Sequence, residues 1–250
     1  MGIHGRTAIV TGAARGIGAA IAQRLAADGA RIAVVDLRGG EDTVARIAAA
    51  GGTATAFTCD VSDREQVFAT VAAVTERLGA PTILVNNAGL HANPPIPFAE
   101  ITADVWDHYM NVDVSSVLHF SQAVLPVMRE ARWGRIVNMS SGTINAFTHP
   151  GMSHYITAKT AIVGLTRALA SEVGADGITV NAIAPGGVRT PGLEEIASEE
   201  LMQRIADGQA IPRIVEPEHI AGVASFLAGE DSAMVTAQTI FADGGLVRAG

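Results

Sequence analysis

Thr7-Ala8-Ile9-Val10-Thr11-Gly12-Ala13-Ala14-Arg15-Gly16-Ile17-Gly18 is a short apolar strand running into a glycine-rich loop, and Ile21, Leu25 and Ala26 carry the pattern on into a helix. Strand, glycine loop, helix is the order that binds a dinucleotide. The glycines let the backbone turn sharply and approach a pyrophosphate, which rests on the amides at the helix N-terminus. Gly12, Arg15, Gly16, Ile17 and Gly18 are therefore candidate cofactor contacts. The spacing is G-x-x-x-G-x-G rather than the more familiar G-x-G-x-x-G, so the loop needs support from elsewhere in the chain. That support is the strand Arg31–Val35, which ends in Asp36 with Leu37 beside it. A carboxylate about twenty residues beyond the loop can accept hydrogen bonds from an adenosine ribose diol. A 2′-phosphate there would meet repulsion of about 4 kcal/mol per close charge pair at an effective dielectric near twenty. Asp36 thus selects NAD(H) over NADP(H), with Arg15 and Arg38 the residues able to return part of that repulsion.

Short apolar runs alternate with helical stretches through all 250 residues, and no linker, repeat or low-complexity segment divides them. The fold class is accordingly α/β in a single domain, 1–250. A formal charge of −8 and the lack of any Lys/Arg cluster argue against nucleic acid as a partner. No apolar run is long enough to span a bilayer, and Met1–Thr11, interrupted by His4 and Arg6, is neither a signal peptide nor an anchor. Cys59 is the only cysteine, which excludes an internal disulfide and a multi-Cys metal site. It reads as a small buried strand residue and fits a reducing, cytoplasmic compartment.

Farther along, a helical segment at Asp42–Ala50 leads to a strand at Ala54–Thr58 and then Cys59-Asp60-Val61. Asp60 either accepts from an adenine amine or caps the helix that starts near Asp63. The apolar strand Thr82–Val85 runs into Asn86-Asn87-Ala88-Gly89, small and amide residues beside which a flat ligand can lie close to backbone. In the second half, Ser153-His154-Tyr155-Ile156-Thr157-Ala158-Lys159 continues helically through Ile162, Leu165 and Leu169, so Tyr155 and Lys159 lie one turn apart on one face. A fixed ammonium beside a phenol favours the phenolate and makes it a usable proton shuttle near neutral pH.

Taken in order, Thr11 to Gly18, Asp60-Val61, Asn86 to Gly89, Asn111, Ser141, Tyr155, Lys159 and Pro185-Gly186-Gly187-Val188-Arg189-Thr190 resemble the short-chain dehydrogenase/reductase family over nearly the whole chain. The resemblance implies a Rossmann-like, doubly wound, seven-stranded parallel sheet with helices on both faces and an active site at the strands' carboxyl ends. It implies that Tyr155 is the general acid/base and that Ser141 polarises the substrate oxygen. Lys159 would also bind the nicotinamide ribose, and Asn111, within the long helical pattern Asp104–Arg129, would hold a relay water. The cofactor contacts it adds are Asp60, Val61, Asn87, Ala88, Gly89, Pro185, Gly186, Val188 and Thr190, together with Tyr155 and Lys159. No metal is called for. Ser141 stands fourteen residues before Tyr155, where about thirteen is usual in the family, so Ser140 and Thr143 stay in contention. By resemblance alone the chain is a homotetramer.

Pro191–Arg213 has mixed amphipathic character and reads as a mobile lid over the substrate, about 190–213. The pocket would draw on residues near His91–Asn93, Thr143–Asn145 and His149–Met152, most of them apolar or neutral. That composition favours an uncharged secondary alcohol or ketone. Separately, the runs Ser153 to Ser171 and Asp176 to Asn181 are similar to those of NAD-dependent secondary-alcohol dehydrogenases of the 1-phenylethanol type. His91, His149 and His154 are accounted for as loop or surface histidines. The alternative is an NADPH-dependent 3-oxoacyl-(acyl-carrier-protein) reductase, against which Asp36 and the negative charge count. A non-catalytic cofactor sensor would have no use for Asn111, Ser141, Tyr155 and Lys159 together.

Overall fold

A computed structural model describes residues 2–91, 94–145, 150–195 and 197–247. Seven parallel strands form one sheet: β1 (Thr7–Thr11), β2 (Arg31–Asp36), β3 (Thr53–Thr58), β4 (Pro81–Asn86), β5 (Gly134–Met139), β6 (Ile178–Pro185) and β7 (Thr239–Ala242), in the order β3-β2-β1-β4-β5-β6-β7. Between them run α1 (Gly16–Ala27), α2 (Glu41–Ala49), α3 (Arg64–Leu78), α4 (Ala103–Tyr109), α5 (Ser116–Ala131), α6 (Ser153–Val173), α7 (Pro191–Glu194), α8 (Glu199–Asp207) and α9 (Pro217–Ala228).

The central strands are apolar on both faces because both faces are covered. On one side Ala8, Val10, Ile32, Val34, Ile83 and Val85 pack with Ile21 and Leu25 of α1 and Ile220 and Leu227 of α9. On the other, Ile9, Ala33, Val35, Leu84 and Ile136 pack with Val67 and Val74 of α3, Phe120 of α5 and Val173 of α6. Alternate residues of one strand thus serve two cores, the period-2 rule of a pleated strand. Cys59 is buried within the second core.

Two local departures from the expected pattern bear on the site. Asp63, not Asp60, caps α3: its side chain accepts from the Glu65 and Gln66 amides, while Asp60 accepts from the amide and hydroxyl of Ser62 in a tight turn of its own. The helix expected from Asp104 to Arg129 is continuous but not uniform. Between α4 and α5 the residues Met110–Ser115 form a π segment, a wide turn of the kind found chiefly at functional sites. Among the described residues, no helix is long and apolar enough to cross a membrane.

Candidate active site

Every strand is parallel, so all carboxyl ends meet along one edge, and the crevice opens between β1 and β4, where the chain order reverses. Thr11 and Asn87 clasp that point. Thr11 Oγ1 accepts from the Asn87 amide at 2.9 Å and the Ala88 amide at 3.0 Å, and Asn87 Nδ2 donates to the carbonyls of Thr11 at 2.9 Å and Gly12 at 3.1 Å. The loop fits no larger residues: Gly12 has φ +63°, and a Cβ there would stand 2.9 Å from Ala88 Cα. A Cβ on Gly18 would drive into the Gly12 carbonyl oxygen and lie 2.5 Å from Asn87 Nδ2. Asp36, at the end of β2, accepts from the Ala14 amide at 3.0 Å and the Arg38 amide at 3.2 Å, which sets its carboxylate beside the glycine loop. Leu37 is exposed next to it and Val61 is buried.

On the other side of the crevice, the end of β5 is tied to α6. Ser140 Oγ donates to the Lys159 carbonyl at 2.8 Å, which engages that hydroxyl in holding α6. Ser141 Oγ accepts from the Thr143 amide at 3.3 Å and the Thr143 hydroxyl at 2.9 Å. Ser141 thus caps the short turn Gly142–Ile144, with Thr143 as its donor. Lys159 Nζ lies 5.7 Å from the centre of the Tyr155 ring, as the one-turn spacing requires.

The ammonium is not an unshared cation. It forms a 2.6 Å ion pair with Asp113, whose side chain is wholly buried, while that of Lys159 is only 6% exposed. Burial disfavours the lysine's charge, but the Asp113 carboxylate, with Tyr155 assisting, holds it above its ordinary value. The Leu90 amide also points at Asp113, 3.4 Å from each carboxylate oxygen. Gly89 leaves the room: a Cβ there would stand 2.5 Å from Asp113 Oδ1 and 2.8 Å from Lys159 Nζ.

Asn111, expected to hold a relay water, does not contact the Lys159–Asp113 pair. It is exposed on the outer side of the π segment, 3.5 Å from Ser115 Oγ. Asp113, two residues on, takes the inner side, so a carboxylate stands where an amide was expected. The segment's wide turn decides which of the two faces inward. His154 also departs from the expected surface role. It is fully buried, its ring meets Tyr109 edge-on at 4.3 Å, and among the described residues neither ring nitrogen has a hydrogen-bond partner. Burial pushes it below its ordinary value. Tyr109 in turn donates to the His91 carbonyl at 2.7 Å. Asn93 and His149, expected near the pocket, lie outside the described residues.

The third wall comes from β6. Gly186 packs so closely that a Cβ would reach 2.8 Å from Asp243 Cβ, and a Cβ on Gly142 would come 3.1 Å from the Pro185 carbonyl. Val188 is buried and bridges Val215, and Thr190 caps α7 with its hydroxyl on the Leu193 amide. That brings Thr190 against the glycine loop, where a Cβ on Gly16 would lie 3.4 Å from its methyl group.

Three comparisons agree with this geometry. A family profile described as enoyl-(acyl carrier protein) reductase matches residues 12–247. The chain is 42% identical over 247 residues to the short-chain reductase protein NovJ of Streptomyces niveus, covering 95% of this chain and 92% of that protein. It belongs to the short-chain dehydrogenase/reductase family. The 3-oxoacyl-[acyl-carrier-protein] reductase FabG of Pseudomonas aeruginosa is 39% identical over 251 residues, covering 98% and 99% of the two chains. A short-chain dehydrogenase/reductase double mutant from Serratia marcescens superposes with a TM-score of 0.91 at 32% identity, covering 98% of this chain and 99% of that one.

As a short-chain dehydrogenase/reductase the chain is an oxidoreductase of the CH–OH/carbonyl type that works with NAD(P)(H). The residues present fit such a cofactor: the Gly12–Gly18 cradle excludes side chains where a pyrophosphate needs backbone, and Asp36 waits at the strand end where a ribose falls. Asp113 is the residue that sequence reasoning missed. A lone carboxylate amid Val112, Val114 and Val117 was the available signal, since an unpaired charge on an apolar helix face has to find a partner.

Proposed function

We propose that this short-chain dehydrogenase/reductase interconverts an uncharged secondary alcohol and its ketone with NAD(H). The observation that carries the reading is the Asp36 carboxylate, fixed by the Ala14 and Arg38 amides beside the glycine loop. A ribose diol can donate to it and a 2′-phosphate is repelled by it. Arg15, one of the two guanidinium groups able to offset that repulsion, is engaged by Glu195 at 3.1 Å.

A bound nicotinamide supplies the hydride donor or acceptor. The chain's residues do the rest. Tyr155 takes the hydroxyl proton in oxidation and returns it in reduction, Ser141 donates to the substrate oxygen, and Lys159 holds the ribose side of the site. Gly12, Gly16, Ile17, Gly18, Asn87, Ala88, Gly89, Pro185, Gly186, Val188 and Thr190 line the cofactor's path.

The substrate class is read from the start of α6, next to Tyr155 in the chain. A recess of about 470 Å³ there is lined by Pro97, Phe98, Pro150, Gly151, Met152, Ser153 and Ile156, without a charged group; Tyr155 and Ser141 do not line it. One cation near the lid is neutralised, Arg189 by Glu199 at 2.7 Å and Glu216 at 3.5 Å, while Arg213 at the lid's end is exposed and has no ion-pair partner among the described residues. An acidic carrier protein would look for unpaired basic side chains at this entrance. The likeness to FabG keeps a 3-oxoacyl thioester as the second reading. Residues 190–213 act as the lid: α7 lies against the glycine loop through Thr190, and α8 packs through Ile205, 3.3 Å from where a Gly187 Cβ would be.

The test is the initial rate of nicotinamide reduction on a panel of uncharged secondary alcohols, with NAD⁺ and NADP⁺ side by side, and of 3-oxoacyl thioester reduction with NADH and NADPH. Turnover of the alcohols with NAD⁺ supports the proposal; NADPH-dependent thioester reduction alone replaces it with the second reading. Tyr155→Phe must keep cofactor binding while turnover falls about a hundredfold or more. Unchanged turnover in that variant removes Tyr155 from the mechanism.

A further inference from the structure

Lys159 is the only lysine in the chain; every other permanently cationic side chain is arginine. It lies 95% out of solvent, between α6, the π segment and the backbone at Gly89 and Leu90. An ammonium so placed must be paired or lose its charge, because desolvation disfavours the ion. The partner is Asp113 at 2.6 Å, itself wholly buried. A buried carboxylate of this kind alters the task of the lysine. An unshared cation would act with its full charge on the Tyr155 phenol; one neutralised at contact acts much less, and stays in place to hold a ribose.

We propose that Asp113 is the positioning residue of this active site: its carboxylate fixes the Lys159 ammonium against the Gly89-Leu90 backbone and balances its charge, and so sets the pH range over which Tyr155 exchanges protons with substrate. The inference rests on the oxidoreductase reading above. The other titratable groups facing the pair are Tyr155 on α6, Tyr109 on α4 and His91 on the loop after β4. Tyr109 is pushed up by burial, with the Asp113 charge and Tyr155 adding to it, and His91 is pushed down by burial and then by Lys159. His154 stands behind Tyr109 without a charge partner. Near neutrality, therefore, Asp113 and Lys159 are the two opposed charges at the centre, and changing one changes the field on the phenol.

Because the chain holds one lysine, labelling with ¹³Cε-lysine gives one resonance whose titration reports this amine alone. In the full-length protein that resonance should keep its ammonium shift for as long as the fold survives rising pH. A midpoint near the free value of about 10.4 in folded protein overturns the pair without any variant. Asp113→Asn keeps the shape and removes the charge. Its lysine resonance should titrate roughly one to several pH units lower. The pH profile of kcat/KM for alcohol oxidation should then change form. The wild type rises to a plateau, whereas the variant rises at lower pH and falls again, with the descending midpoint coinciding with the lysine titration. A variant profile that superimposes on the wild type while the resonance has moved makes the pair structural only and overturns the proposal. Should the wild-type chain turn over no alcohol, ketone or thioester, the functional reading fails and takes this one with it, a result distinct from an active enzyme indifferent to Asp113.

Discussion

Thr11→Val removes one oxygen from the point where the sheet reverses its order and leaves shape and β-branching unchanged. Thr11 is 2% exposed and its hydroxyl oxygen accepts two backbone amides, Asn87 at 2.9 Å and Ala88 at 3.0 Å. Valine fills the same volume with the same stiff side chain, so no cavity opens and the strand keeps its preference. What is lost is the acceptor for the two amides, together with a long 3.4 Å donation to the Val85 carbonyl. Each stranded amide forfeits about 1–3 kcal/mol, and the total should fall near the lower end, about 2–3 kcal/mol, because both sites are only partly buried. The Asn87 side chain still bonds the Thr11 and Gly12 carbonyls, so the loop should loosen rather than unfold. The local readout is amide hydrogen exchange: protection at Asn87 and Ala88 should fall by about 5- to 150-fold, the equivalent of 1–3 kcal/mol at 1.4 kcal/mol per decade. Cofactor affinity should fall with it. Thr11→Ser retains the acceptor and loses one methyl, about 0.8 kcal/mol, with protection preserved. Valine and serine variants that exchange alike would refute the claim that this hydroxyl holds the crevice together.

Asp36→Ser should lower the discrimination against NADP⁺ by about 10²- to 10³-fold, the equivalent of 3–4 kcal/mol of relieved repulsion, measured as the ratio of kcat/KM values; an unchanged ratio assigns the selection to other residues. Gly18→Ala should abolish cofactor binding and cost several degrees in Tm, since its Cβ meets the Gly12 carbonyl. Gly164→Ala in α6, where a Cβ meets nothing within 4 Å, should instead gain about 0.5–1 kcal/mol; a loss there means another subunit packs on that face. His154→Phe should flatten the acid side of the stability profile. The folded pKa of His154 lies below its ordinary value, so its contribution is present above the unfolded pKa of about 6.5 and is lost as pH falls through the folded pKa. Wild type should lose more Tm than the variant between pH 7.5 and 5; parallel losses would show that His154 takes up its proton in the folded chain.

The strand–loop–helix opening and the Tyr155–Lys159 spacing were legible because both depend on local order. Apolar runs of five or six residues between glycine turns can only be doubly covered parallel strands once helices alternate with them. Asp36 was legible for the same reason, as the last residue of such a run. Asn111 was misplaced because the type of residue was read without the phase of its helix, and nothing in the letters Met110 to Ser115 announces a π turn. Asp113 was overlooked because its partner lies 46 residues away, on a helix whose position is set by packing. His154 looked exposed because a histidine beside an active tyrosine is polar by type, yet the face it shares with Ala158 and Ile162 is the buried one. Asp60 and Asp63 competed for one cap, and the choice went to the residue whose oxygen could reach the amides two and three positions on.

The wide turn at Met110–Ser115 makes the content of the active site depend on residue count as well as residue type. Its hydrogen bonds reach one position farther than those of an α-helix, so the helix accommodates a residue there without a matching rotation. Deleting a single residue, Val112 for example, would let the ladder close as a regular α-helix with the flanking segments in place, and would shift the residues between them by one position, about 100° around the axis, relative to one flank. Asp113 would leave the lysine and a different side chain would face it. A one-residue insertion or deletion in this segment is therefore a substitution beside Lys159 made without exchanging any of its amino acids.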